Sequence, residues 1–402
     1  MTSVVDTSVK YFSSLMSGSP ALSGTVGSMI ALLDACLKDG FDLKTLTSLT
    51  VAGGVATAVF TGTHSAALDS VVLIAGVSGG PSGWAGLNGE QKITGKPAPT
   101  SVTFATNLPD GSYSGTITMK MAPLGFAKPF AGTNLAAYQS TDPASTKMIL
   151  RLDDTVATTT RVVGCESMTD IGTYAGLFPT ALQMAGGGYW AKSTVANATP
   201  VQWMVVGDSR AFYIHVCPGS GANAGWNQGY TRGFGDAIAL KPGGDAFACF
   251  LSYSDVSTAS NQSNGQPEYA QGSLQAFPRA PTGLGASLLN NCYPYVGTGS
   301  SMSGMDAFFG PFPSIIDGAL RVTRRYFAPA TSVPPRAEAP GLYSVPHTLA
   351  FDSFKLNDRQ PGTGVLAGRN LIAVNATNTT INQTSTNATS GVTFFDVTGP
   401  WR

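Results

Sequence analysis

The residues best suited to chemistry are few. The chain has three histidines, His64, His215 and His347, and five cysteines, Cys36, Cys165, Cys217, Cys249 and Cys292. His215 and Cys217 lie two apart in YIHVC, so on a strand they share one face. A thiol beside an imidazole is the raw material of an activated nucleophile, or half of a metal site. No further ligand is spaced nearby, and the plainer reading is two packed side chains. Asp153-Asp154 follows a strand-like run and could offer carboxylate oxygens to a hard cation. The same DDT is an ordinary turn start, because Asp bonds its own backbone. Asp208 in VVGDSRAF reads the same way. The run Gly186-Gly187-Gly188-Tyr189-Trp190 sets glycines beside aromatics, either as a flat carbohydrate-stacking surface or as a packing contact. Trp84, Trp203, Trp226 and Trp401 are scattered and form no stripe.

Several chemistries leave no signature. No GxGxxG precedes a helix, and no GxxxxGK[ST], HExxH or CxxC occurs, so phosphate-cradling loops and compact zinc sites lack their usual spacing. Paired carboxylates for glycoside cleavage need only be close in space, and the sequence favours no pair. It assigns no catalytic residue, no cofactor and no metal ligand. The five cysteines are odd in number and irregular in spacing, which suits buried free thiols in a reducing compartment.

The elements that would hold these residues are built from an unusual composition. Only 46 of 402 residues, 11%, are Asp, Glu, Lys or Arg, against ~25% in ordinary globular proteins. Gly, Ala, Ser and Thr fill the gap, with 48 glycines and 25 prolines. Free proteins use scattered charge to stay soluble and separate. A surface of small neutral groups is cheap to dehydrate and suits a subunit built into an assembly. Lys plus Arg equals Asp plus Glu at 23 each, and no basic tract is present, so nucleic acid is not an expected partner. No apolar run is long enough to span a bilayer. The N-terminal MTSVVDTSVKYFSSLMSGSPALSG lacks the basic and apolar regions of a secretory leader. The chain is therefore expected to stay where it is made, or to leave inside an assembly.

The patterning predicts a mainly β protein in three parts. Residues 1–42 are an extended arm, ordered by a neighbouring subunit, followed by an amphipathic helix over 21–38. Ser19 would cap the helix, Pro20 would open it and Gly40 would close it. Its stripe is Leu22, Val26, Met29, Ile30, Leu33 and Leu37. Residues 43–122 are a small β-barrel or sandwich. Strand-like runs there are 46–52, 55–60, 70–75, 90–94, 101–106 and 112–121, with Gly53-Gly54 as a tight hairpin turn. Residues 123–402 are a larger β domain with long Gly/Pro-rich loops. Strands are expected at 148–152, 159–165, 201–206, 211–216, 246–253, 349–354, 370–374 and 392–397. Residues 256–345 read as irregular, and 254–271 as a polar surface excursion. The Asn/Thr/Ser-rich insertion at 375–390 reads as a solvated loop. Its Asn-x-Thr triplets at Asn375, Asn378, Asn382 and Asn387 are not expected to carry glycans without a leader. The closing FFDVTGPWR is apolar to its end and is expected to dock.

Several segments also carry a resemblance. VKYFSSLMSGSPALSGTVGSMIALLDACLKDGF, LNGEQKI, TSVTFAT, SGTITMKMAPLGFAKPF, GTNLAAYQS, RVVGCESMTDI, LFPTALQMAGGGYWAKS, LAGRNLIAVN and GVTFFDVTGPWR occur in order along nearly the whole chain. Together they resemble a family of tailed-bacteriophage virion structural proteins. The module at 43–122 also resembles repeats of phage tail and fibre proteins. The insertion at 375–390 is longer than the family pattern, and 254–345 matches it weakly. The resemblance implies a structural subunit of the virion, assembled in the bacterial host cytoplasm, whose partners are other virion proteins and copies of itself. A tail or baseplate position is the first expectation, and a capsid decoration or head–tail role the alternative. A receptor-binding or glycan-processing tail protein, in contact with the host surface, is the alternative of another class. The resemblance carries over no catalytic residue.

Overall fold

Glycines 53 and 54 turn the chain back on itself with φ of 57° and 78°, a conformation glycine adopts without steric cost. They join strands Phe41–Ala52 and Val55–Phe60, with Ala52 facing Val55. In the computed structural model, which describes residues 3–219, 228–269, 274–294, 302–377, 381 and 390–402, this hairpin belongs to a closed six-stranded antiparallel barrel. The ring runs Phe41–Ala52, Val55–Phe60, Ser101–Ala105, Gly89–Ala98, Val71–Ala75 and Thr118–Met121, and back to Phe41–Ala52. Period-two alternation fills it: Ala56, Ala58 and Phe60 point inward with Leu49, Ile74, Val102, Phe104 and Met119. The strand expected over 112–121 is two strands, Gly111–Tyr113 and Thr118–Met121. Between them the chain bends so closely that a Cβ on Gly115 would strike the Gly76 carbonyl.

Among the described residues three further sheets lie beyond the barrel, one of them only the short ribbon Ser167–Asp170 with Thr173–Ala175. Phe126–Gly132, Leu135–Ser140, Ile149–Asp153, Thr159–Cys165 and Gly188–Ala191 form a five-stranded antiparallel sheet. The main sheet runs Lys10–Ser13, Pro200–Gly207, Ala211–Cys217, Tyr230–Asp236, Cys249–Ser252, Gln275–Phe277, Leu288–Pro294, Thr323–Ala328, Ala337–Ser344, Ser390–Asp396, Asn370–Thr377 and Arg359–Pro361. It curls on itself. Tyr213, on the third strand of that order, packs its ring 5.1 Å from Phe395 on the tenth and 5.7 Å from Phe250. The opposite face of the Tyr213 strand carries Phe212, which packs on Phe126 and Trp190 of the five-stranded sheet. Both faces are therefore buried.

The mainly β class stands, and several local expectations change. The arm is held by its own chain: Lys10–Ser13 is an edge strand paired with Pro200–Gly207. Pairing there satisfies its backbone while Val9 and Phe12 enter the core. The helix begins later than predicted. Leu22–Ser23 pairs with Pro200 and Val201, and the helix is Ser28–Leu33, continuing as a π-helical turn Asp34–Asp39. Gly27, at φ 80°, precedes it, so Ser19 and Pro20 lie well outside, and Val26 is exposed off the stripe. Gly40 does end it, its N–H reaching the Ala35 carbonyl at 2.9 Å.

Among the described residues, 256–345 hold four strands rather than irregular chain. The polar stretch after Ser254 is surface at its start, with Asp255, Ser257, Thr258 and Asn261 exposed, but turns inward, with Gln262, Gln266 and Glu268 fully buried. The strand expected over 349–354 is a short helix, Ala350–Ser353, entered through Leu349 at φ 62°. The C-terminus docks as expected: Val397 and Trp401 are buried, and Lys92 of the barrel donates to the Val397 and Thr398 carbonyls at 2.9 and 2.7 Å. Of the 375–390 insertion, Asn375–Thr377 extends a strand and Ile381 is buried. Asn378, Asn382, Asn387, Trp226 and most of the glycine loop at 219–225 lie outside the described residues. Among the described residues no helix is long and apolar enough to cross a membrane.

Candidate functional site

His215 and Cys217 do meet. Both lie on strand Ala211–Cys217, with the Cys217 Sγ 3.6 Å from His215 Nε2 and Thr231 Oγ1 2.9 Å from His215 Nδ1. Their surroundings oppose reactivity. Both are fully buried, so burial lowers His215 to about 3 and raises the Cys217 thiol to about 12. An activated pair needs a low thiol and a basic imidazole. Among the described residues no three His, Cys, Asp or Glu side chains converge to hold a metal ion. All five cysteines are free and buried.

Asp154 is a framework residue. Its carboxylate is buried and accepts from the Met29 and Ile30 amides at 2.9 and 3.2 Å, from Thr160 Oγ1 at 2.7 Å and from Lys192 Nζ at 2.5 Å. It thus caps the helix from a distant strand end. Asp153 makes the local turn, accepting from Thr155. Asp208 accepts from the Arg210 and Ala211 amides, both at 2.8 Å, and pairs with Arg402 at 2.9 Å.

The glycine–aromatic run packs inward. Trp190 is buried and donates to the Ser252 carbonyl at 2.7 Å, and Arg161 lies 4.2 Å over the Tyr189 ring. Trp203 and Trp401 likewise donate to the Pro20 and Asp396 carbonyls. Residues 76–80, GVSGG, have the GxSxG spacing of a nucleophile elbow, which requires a strand-to-helix turn. Here Ser78 sits in a barrel turn, its amide on the Ser114 carbonyl at 2.9 Å.

One buried polar group was not legible in the sequence. Arg232 donates to the Thr231 and Gln262 carbonyls at 2.8 and 2.6 Å, and Arg325 to the Cys292 carbonyl and Ser344 Oγ at 2.6 and 3.0 Å. Gln266 reaches the Thr377 carbonyl at 2.7 Å and Gln275 the Gly265 carbonyl at 2.7 Å. Burial raises Glu268 among them. These side chains tie the segment after Ser254 into the curled sheet, a structural task.

The outer surface offers a different kind of site. Segment 305–322 runs out from the end of strand Thr323–Ala328 and carries Ile315 and Ile316 at 92% and 91% exposure, with Phe308 at 61%. Val365, 97% exposed, lies on a turn beside it. The base is firm. The Phe312 ring packs 5.2 Å from Phe354, its amide bonds the Thr348 carbonyl at 3.0 Å, and the Arg321 amide bonds His347 Nε2 at 3.0 Å. Asp317 and Arg321 form an ion pair of 2.5 Å on the flank. The sequence signal is GPFPSIIDG, an adjacent isoleucine pair in a loop with no helical or strand period.

A second feature lies at the other end of the same strands. The register sets Thr323 against Ser344 and Phe327 against Ala337. The isoleucine tip precedes Thr323, whereas Ala239 pairs with Ala337 and Leu240 bonds the Arg336 carbonyl. The two ends are separated by about 20 Å, the length of six strand residues. Here a cleft of about 820 Å³ opens between residues 144–146, 237–248 and 281–282, with Ala144, Ile238, Ala246, Phe247 and Pro281 in its walls. Ion pairs Arg210–Asp236 at 3.0 Å, Arg336–Asp245 at 2.9 Å and Arg402–Asp208 at 2.9 Å brace it. Lys241 is exposed at the rim, its Nζ on the Pro281 carbonyl at 2.9 Å.

No protein-family model matches this chain, and a search of curated proteins finds no match.

Proposed function

We propose that this protein is a structural subunit of a tailed-phage virion, on the tail or baseplate side, that works by burying surface against its neighbours. The observation that carries the reading is the coincidence of very low charge with apolar surface exposed on a firm loop. Isoleucines more than nine-tenths exposed are costly in water, and contiguous exposed apolar surface marks interaction sites. The resemblance of the ordered segments to virion proteins supports the same reading and supplies the particle. The partners are other virion proteins and copies of this chain, assembled in the host cytoplasm, and the role needs no catalytic group. Quantitative mass spectrometry of purified particles tests it. A copy number well below that of the major capsid protein supports a tail or baseplate position. Parity with the capsid protein moves the chain to the head surface, and absence from particles refutes the structural role.

A further inference from the structure

We infer that two copies of this chain pair about a two-fold axis, the Ile315–Ile316 tip of each seating in an apolar groove at the base of the other's tip. The inference rests on the structural-subunit reading and names one of its contacts. The groove, about 520 Å³, opens between segments 318–322 and 360–366. Phe312, Leu320, Val322, Val365, Leu366 and Leu371 line it, and the one charged side chain on its wall, Arg321, is paired with Asp317. An isoleucine pair more than nine-tenths exposed matches a groove of this lining in polarity. The same exposure shows that the tip is turned away from its own groove. The cleft at the other end of the strands does not match, since Arg210, Asp236, Lys241, Asp245 and Arg402 line it.

Two observations make the occupant a second copy. The first is that projecting tip and groove lie side by side on one face. A patch that carries both halves of a contact is self-complementary, which is what a two-fold interface requires. The second is area. Phe309 extends the patch through His347, its ring 6.0 Å away, and His347 lies 6.1 Å from Phe312. Phe308, Phe309, Ile315, Ile316 and Val365 are 45% to 97% exposed. Together they leave on the order of 700 Å² in water, above the ~300–600 Å² of the largest patch on a typical monomer and close to the ~800 Å² per partner that a stable interface buries. Both walls are already held, the Phe312 amide on the Thr348 carbonyl and the Gly362 amide on the Arg369 carbonyl at 2.8 Å, so seating orders little chain. With Asp317 and Arg321 neutralising each other, and a net charge of zero on the whole chain, like copies approach without repulsion. A lipid surface is a poorer occupant. An apolar face that enters lipid is bordered by Lys and Arg, and the cation beside this tip is taken by Asp317.

Sedimentation velocity of the full chain reads the contact. Wild type is expected at twice the 41.4 kDa of one chain and no larger, because a two-fold contact closes on itself. Ile316→Glu and Val365→Arg fall at positions more than nine-tenths exposed, and circular dichroism checks that each variant folds. Each alone is expected to be monomeric, its dimerisation weakened more than about a hundredfold because the apolar contact is lost twice per dimer. The equimolar mixture is expected to dimerise one to one. One half of its contact is wild type, and the other half sets the new carboxylate against the new guanidinium. Cross-linking gives a readout that does not depend on those variants. All five native cysteines are buried, so introduced thiols react first. A mixture of Ile316→Cys chains with Val365→Cys chains is expected to form an intermolecular disulfide in preference to either variant alone. A monomeric wild type overturns the inference and leaves the patch to a different protein. Assembly beyond two copies, a dimer that survives Ile316→Glu, or a disulfide formed by Ile316→Cys alone and not in the mixture overturns it too. Presence of the chain in particles alongside any of those results leaves the virion reading intact, whereas absence from particles alongside the expected dimer refutes only the virion reading.

Discussion

Removing the Asp154 carboxylate should cost more than any other single polar change on the five-stranded sheet. The side chain is fully buried and accepts four hydrogen bonds, two from the start of helix Ser28–Leu33, one from Thr160 and one from Lys192. Asp154→Ala withdraws a helix cap, worth ~1 kcal/mol. It also leaves the Lys192 ammonium, which has no exposed surface, with the Thr25 carbonyl at 2.8 Å and no counter-charge. Breaking a buried pair from one side costs ~3–5 kcal/mol, so the total is about 4–6 kcal/mol. That is a large part of the ~5–15 kcal/mol that holds a typical protein together. Asp154→Asn keeps an acceptor for the helix and loses the charge, and should cost about 3 kcal/mol. Lys192→Met should cost a similar amount. The double variant Asp154→Asn/Lys192→Met removes both charges and should be less destabilised than the sum of the two, with a coupling of about 2 kcal/mol. Guanidinium unfolding followed by tryptophan fluorescence reads these costs. Amide exchange over 28–39 reads the cap locally and should speed up in Asp154→Ala alone. A cost below about 1 kcal/mol for Asp154→Ala, or strict additivity in the cycle, would refute the account.

Three further outcomes follow from the same geometry. Burial holds His215 near 3, against ~6.5 in the unfolded chain, so the unfolded state binds the extra proton. Its contribution is complete above pH 6.5 and is lost as pH falls toward 3, at about 1.4 kcal/mol per pH unit, and an unchanged acid slope in His215→Gln would count against this. The five buried thiols, with Cys165 and Cys217 each raised to about 12 and Cys292 to about 11, should resist a thiol reagent in the native protein and all react in denaturant. Rapid native labelling of any of them would contradict their burial. Lys92→Met withdraws the donor from the Val397 and Thr398 carbonyls and should cost about 1–3 kcal/mol, releasing the C-terminal residues to carboxypeptidase. Unchanged resistance to digestion would show that Trp401 and Arg402 hold the terminus without it.

By itself the sequence determined what depends on neighbours along the chain. The Gly53-Gly54 hairpin, the alternating barrel strands and the Gly40 helix end are set by backbone freedom and period-two burial, and both are local. The His215–Cys217 juxtaposition was legible for the same reason, since residues two apart on a strand share a face. Tertiary structure decided the rest. Strands Tyr230–Asp236 and Ala337–Ser344 are buried along their whole length, so no alternation marks them. Their Arg, Asp, Glu and Pro residues read as loop until distant partners satisfy them. Asp154 looked like a turn because its helix partners lie 125 and 124 residues away. The arm looked unpartnered because the strand it joins begins at Pro200. His215 and Cys217 touch, and it is the surrounding sheet that removes their charge by excluding water. Ile315 and Ile316 are hydrophobic on any scale, yet exposure is a property of the whole surface. Only the folded chain places them on a loop braced by Phe312 and His347, at the opposite end of the strands from the cleft.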